Sequence, residues 1–250
     1  MKKLTRLDVS YNLISGEGLE HLTSYPRLQV LFIGGTPIEN SDVRILLKLK
    51  SLVFLDLSDT DVTGRGIQQL TQLRSLRKLD LQGLEISLKT AQSLAQIQNL
   101  SYLQLDHCKI SDVAISQLHK LIQLRELYLE RTDLGDTGLS MLVTLPKLEH
   151  LDIADTQVTS AGLKQLSQLS QLAALRLAEL KLNSAAIAAI AKLKNLQLLD
   201  LSGTNIGGAE LNQLSSLHQL QTLILDGTKV SAKDVNRFER QHPNCTISWD

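Results

Sequence analysis

Residues 52–75 read LVFLDLSDTDVTGRGIQQLTQLRS. Leu55-Asp56-Leu57 alternates apolar and polar with the period of two that suits a strand. Ile67, Leu70 and Leu73 then recur every three residues, a spacing that suits a short helix, and Gly66 marks the turn into it. One short strand and one short helix cannot bury their own apolar side, but stacked copies cover one another. The chain supplies the copies. Leu stands at 4, 28, 52, 76, 100, 124, 148, 172, 196 and 220, always 24 residues apart. Three residues after each comes a second Leu, from Leu7 and Leu31 to Leu223. The sixth position is aliphatic throughout, from Val9 to Leu225, and so is the eleventh, from Ile14 to Val230. Positions sixteen, nineteen and twenty-two are nearly all apolar, as in Leu139, Leu142 and Leu145.

Composition agrees with a repetitive core. Of 250 residues, 43% are hydrophobic but only 3% aromatic, so Leu and Ile must do the packing. Lys plus Arg equals Asp plus Glu at 26 each, a balance that argues against a general nucleic-acid binder. There is no run of eighteen apolar residues, so no membrane-crossing helix is expected. Met1-Lys2-Lys3-Leu4-Thr5-Arg6 leads into no apolar stretch, so no signal peptide is expected either. With two Cys, a reducing compartment such as the cytoplasm is favoured unless the chain is a fragment.

The consensus is L-x-x-L-x-L-x-x-T-x-I-S-x-x-G-L-x-x-L-x-x-L-x-x, within the 20–29-residue leucine-rich window. Over essentially its whole length the chain resembles a leucine-rich repeat protein. The 24-residue period with Thr at position nine is similar to bacterial arrays, as is the closing stretch His242-Pro243-Asn244-Cys245-Thr246-Ile247-Ser248-Trp249. The resemblance implies an α/β leucine-rich repeat solenoid that serves protein–protein recognition. Parallel strands sit about 4.8 Å apart and helices about 10 Å apart. The stack must therefore curve into a horseshoe, with the sheet on the concave face and short helices on the convex face.

The expected organisation is a single domain over 1–250, with ten repeats from Leu4 and a capping strand at about 244–250. Near the C-terminus Phe238 replaces Leu, Gln241 replaces an apolar residue, and Arg237, Glu239 and Arg240 add charge. Asn244, Ile247 and Trp249 then fall in register as an eleventh strand. At the N-terminus no cap precedes Leu4 and Leu7. This reads as a segment of a longer protein, a mis-set start, or an end buried against a partner or a second copy.

Position nine is Thr at 36, 60, 132, 156, 204 and 228, and Asn at Asn12. Either side chain bonds turn backbone. Leu84 and Leu180 cannot, so these two repeats are expected to be looser or more twisted. Cys108 fills the same column and reads as a small buried thiol. Cys108 and Cys245 lie six strand spacings apart, about 29 Å, and cannot pair within one molecule.

Function is expected on the concave columns, which the repeat leaves free. These are the second, third, fifth, seventh and eighth positions. They hold 14 acids and 6 bases, a net of −8 in a neutral chain. Five of the eight rings also fall there: Tyr11, Phe32, Phe54, Tyr102 and Tyr128. Clustered rings on a solvated face are typical binding anchors. The expected site is therefore Phe32, Phe54, Tyr102 and Tyr128 as anchors. Asp56, Asp59, Asp80, Asp106, Glu130 and Asp152 would steer a protein partner with a basic surface, and Arg131 and Arg176 would add specificity. His150, beside Asp152 and opposite Glu126, is the candidate for pH tuning. His107 and Cys108 should point to opposite sides, a poor nucleophile–base pair. Gly34-Gly35 and Gly207-Gly208 lack the sequence around a phosphate loop and read as turns. No catalytic, cofactor or metal residues are expected, and nucleic-acid or membrane partners are not. The alternatives are an architectural or self-association segment, joined through the N-terminal end, and the recognition arm of a larger protein or effector.

Overall fold

The structure, a computed structural model, describes residues 3–250. Met1 and Lys2, on which the leader reading began, lie outside it. Each repeat opens with a three-residue strand. In Lys78–Asp80, Glu126–Tyr128 and Ala174–Arg176 the middle Leu is buried and its neighbours are half exposed. Eleven such strands form one parallel sheet in chain order. Register follows the repeat, so Leu31 pairs with Leu55, Leu55 with Leu79 and Leu79 with Leu103. The last strand, Thr246–Ser248, sets Ile247 beside Leu223, the rung expected at about 244–250. At the other edge lies Arg6–Asp8, where Leu4 and Leu7 are only partly buried.

Behind the sheet the chain turns into helices of one or two turns. Gly64–Gln69 is α-helical and tightens into a 3₁₀ turn at Leu70–Gln72, which buries Ile67 and Leu70. The longest helix, Ala232–Gln241, closes the C-terminal end with Phe238 buried and His242 stacked on its ring at 4.1 Å. The Leu and Ile columns form a continuous core from Leu19 to Phe238. Each fully buried aliphatic side chain contributes about 1.5–3 kcal/mol.

Position nine works as a latch. The hydroxyls of Thr60, Thr132, Thr156 and Thr228 donate to the carbonyl three residues back, at 2.7–2.8 Å. In the two Leu repeats the sheet itself is not disturbed. Leu84 and Leu180 are buried, and their strands keep the common register. In repeat four the latch comes from the neighbour: the Cys108 thiol donates to the Leu81 carbonyl at 3.1 Å. Burial pushes that thiol up to about 12, so Cys108 is an inert hydrogen-bond donor. Both cysteines are free.

Position eight corrects the sequence reading. In all ten repeats its φ lies between +49° and +79°. Four of these residues are Gly, and Tyr11, Asp59, His107, Arg131, Asp155 and Glu179 hold the same left-handed turn. The position is therefore set by the bend that ends each strand. Asp59 and Arg131 stand exposed on this turn at the edge of the sheet face, as does Tyr11.

The helix starts are fitted across repeat boundaries. The backbone N–H at position twelve needs an acceptor. In some seams position thirteen of the preceding repeat supplies it. Asn40 accepts from the N–H of Thr63, Asp112 from Gly135 and Asp136 from Thr159. Position fifteen of the receiving repeat is then Gly66, Gly138 or Gly162, and a Cβ there would overlap the Asn40, Asp112 or Asp136 carbonyl or carboxylate. In other seams position fifteen of the same repeat accepts instead. Asp42 caps Glu39 and Asp234 caps Ser231. Position thirteen of the preceding repeat is then Gly16 or Gly208, where a Cβ would strike the Asp42 or Asp234 carboxylate. One polar side chain fits each of these spaces, and two do not.

Candidate interaction surface

The sheet face opposite the helices presents the third and fifth columns. The third column runs Phe54, Lys78, Tyr102, Glu126, His150, and the fifth runs Phe32, Asp56, Asp80, Gln104, Tyr128, Asp152, Arg176. Diagonal neighbours bring the four expected rings into one row. Centroids lie 4.8 Å apart for Phe32 and Phe54, 6.3 Å for Phe54 and Tyr102, and 5.3 Å for Tyr102 and Tyr128. The rings are tilted and half buried against each other. Two cations already lie on them: the Arg6 guanidinium is 4.6 Å from the Phe32 centroid, and the Lys78 ammonium is 5.2 Å from that of Tyr102.

The carboxylates are less free than a row of surface acids suggests. Asp56, Asp80 and Asp152 fold back along their strands, each accepting at Oδ1 from the N–H two residues on, at 2.8, 3.0 and 3.0 Å. Asp106 accepts from the Glu130 N–H at 2.7 Å and from Gln104 at 2.6 Å. Gln104 in turn receives the Tyr102 hydroxyl at 3.0 Å. Asp56, Asp106 and Asp152 are thereby buried. Burial pushes Asp80 and Asp152 up to about 6 and Asp106 up to about 7. Charged neighbours add to this, Asp56 beside Asp80 and Asp152 beside Asp106, while Arg176 pulls Asp152 back down. Near neutral pH the trough therefore carries less negative charge than its formal count. Burial also raises the phenols of Tyr102 and Tyr128, the latter to about 12, so both remain hydrogen-bond donors.

Four of the six concave bases pair internally. Arg131 meets Asp155 at 3.0 Å and Glu130 at 3.8 Å, Arg176 meets Asp152 at 3.7 Å, and Lys78 meets Glu126 at 3.5 Å. Arg125 pairs with Glu149. His150 lies 4.0 Å from Glu126 and borders a groove of about 540 Å³ with Gln171, Asn195 and Gln197. Sequence reading missed a second groove, of about 580 Å³, at the rim between repeats three and four. On either side of it a short outer ladder bonds neighbouring turns, at Glu39 with Asp61 and at Glu85–Ile86 with Lys109–Ile110. Its only sequence signal is Leu84 in the Thr column.

Residues 1–22, 122–143 and 144–167 match a leucine-rich repeat family model. No curated protein matches the chain in sequence. Solved structures with a similar fold include an internalin from Listeria monocytogenes, with a TM-score of 0.63 at 21% identity over 99% of this chain and 80% of that one. Internalin C2 from the same organism has a TM-score of 0.61 at 23% identity, over 79% and 80%. A leucine-rich repeat protein from Leptospira interrogans has a TM-score of 0.51 at 20% identity, over 92% and 80%. At such identities the likeness is one of fold. The architecture is that of a leucine-rich repeat solenoid, and three stretches of the chain match the leucine-rich repeat family model. Folds of this kind generally serve as protein-interaction modules. No helix among the described residues is long and apolar enough to cross a membrane.

Proposed function

We propose that the chain binds a partner protein on the concave face of its sheet, with no reaction of its own. The observation that carries this reading is the contiguous row of Phe32, Phe54, Tyr102 and Tyr128 on a sheet face that no helix among the described residues covers. The fold buries its apolar columns elsewhere, so packing gives no reason for rings here. Asp56, Asp59, Asp80, Asp106, Glu130 and Asp152 surround the row and favour a partner with a basic surface. Arg131 and Arg176, held by their own acids, bound the site toward the C-terminal repeats. His150, against Glu126, lies beside them.

The test is capture of partners from a lysate of the source cells, compared between the native chain and Phe32→Ala/Phe54→Ala. A partner lost with the ring changes, and released more readily as salt rises, supports the reading. Salt matters because exposed charge is screened over about 8–10 Å. Capture that ignores both the rings and salt overturns it.

A further inference from the structure

In the fifth column Asp56 and Asp80 sit side by side on paired strands. The pair Phe32–Phe54 flanks them on one side and Tyr102–Tyr128 on the other. Each carboxylate uses Oδ1 for its own backbone, and Asp56 also takes the Ser58 hydroxyl on that atom at 2.6 Å. Among the described residues neither has a Lys, Arg or His within 4 Å, although Lys78, Arg125, Arg131 and Arg176 are each paired with another acid. Lys78 stands between the two ring pairs but leans toward Tyr102 and Glu126, away from the carboxylates. Arg6 and Lys78 show independently that rings in this row accept cations on their faces. The surface thus has two unmatched negative charges inside an aromatic frame, all within repeats two to six.

Resting on the open-face reading above, we propose that Asp56 and Asp80, framed by the four rings, seat one arginine side chain of the partner protein. A guanidinium fits this frame better than an ammonium, since it is planar, stacks on rings and can bridge two carboxylates. Burial holds the Asp80 carboxyl up at about 6 with Asp56 and Asp59 adding to it, which a cation placed there relieves.

The test uses N-acetyl-arginine methylamide, with its neutral citrulline counterpart as control, titrated into the full isotope-labelled chain and followed by NMR. The arginine compound is expected to move the signals of Phe54, Tyr102 and the Asp56 and Asp80 carboxyls, at least tenfold more tightly than the citrulline compound. Asp80→Asn should weaken it at least tenfold, while Asp200→Asn, on the same column further along, should not change it. Lys78→Gln removes the competing cation and should tighten it about twofold, a result that loss of folding cannot imitate. Equal binding of the citrulline compound, or shifts spread evenly to Asp200 and Asp226, overturns the proposal. If partner capture needs Phe32 and Phe54 while the arginine compound ignores Asp56 and Asp80, the open-face reading stands and the arginine seat falls. If capture survives loss of both rings, the open-face reading itself falls.

Discussion

The two halves of the sheet face share one backbone and differ in how their side chains are satisfied. Repeats two to six carry the four rings, together with Asp56, Asp80 and Asp106, which have no cation within 4 Å among the described residues. From repeat seven onward the same columns hold Ala154, Ala174, Ala178, Leu198 and Ile224, and the Asp152 carboxylate has Arg176. Asp200 and Asp226 of the second half also lack a cation within 4 Å among the described residues, but no aromatic ring stands beside them in the third or fifth column. The first half leaves aromatic surface and negative charge that the chain does not satisfy. A repeat fixes which positions are buried and leaves the open positions to diverge, so this asymmetry marks where binding is to be sought.

The largest expected effect divides the halves directly. Phe32→Ala/Phe54→Ala should weaken partner binding by about 2 kcal/mol or more, roughly thirtyfold. Leu198→Ala/Ile224→Ala should leave it unchanged in the same titration. Equal losses would erase the distinction. Because the Phe rings are half buried against each other, the ring variant should also lose about 1 kcal/mol of stability.

The pH dependence of stability comes next. A carboxyl whose folded pKa lies above the unfolded value of about 3.9 keeps its proton where the unfolded chain has lost it. The stability contributed by Asp80, Asp106 and Asp152 is therefore full near about pH 4 and is lost as the pH rises through their folded values of about 6 to 7. Urea unfolding should show the chain more stable at about pH 5 than at about pH 7.5, by on the order of 1–2 kcal/mol. Asp106→Asn should flatten that slope, and an unchanged slope would remove Asp106 as its source.

Arg176→Ala tests the paired half. It leaves Asp152 buried without its cation and should cost about 1 kcal/mol at neutral pH, less where Asp152 is protonated. The smallest effect is at the turn. Glu179 holds φ +64°, so Glu179→Gly should stabilise by about 0.5 kcal/mol, the left-handed cost being partly offset by the chain entropy of glycine. A loss of stability in thermal melts would show that the Glu179 side chain, which covers Gly203, matters more than its backbone.

The buried columns were plain in the sequence because a 24-residue period repeats the same physical demand ten times. Leu55, Leu79 and Leu103 are buried neighbours for the same reason that they are all Leu. The ring row was legible because adjacent repeats place Phe32 beside Phe54. The state of the acids was not. The counting that gave a net of −8 could not foresee that Asp56 and Asp152 turn back onto their own strands, since a side chain's rotamer leaves no periodic trace. Position eight was misread for the opposite reason. Its residues vary as a binding column varies, yet all ten share one backbone angle. At Leu84 the sheet keeps its register because the missing hydroxyl is replaced from the next repeat by Cys108.

The seams bear on how such a gene can grow. In repeats one to four the residues at positions thirteen and fifteen are Gly16 and Gly18, Asn40 and Asp42, Gly64 and Gly66, then Leu88 and Thr90. Gly16 makes room for Asp42, Asn40 fills the space over Gly66, and Gly64 makes room for Thr90. Copying repeat two alone would press Asn40 against a second Asp42. Copying repeat three alone would set Gly64 over a second Gly66, with neither acceptor present. Copying the two together reproduces seams that already exist. In this stretch the shortest segment that can be repeated without remaking a seam is thus 48 residues, twice the period that the leucines spell out.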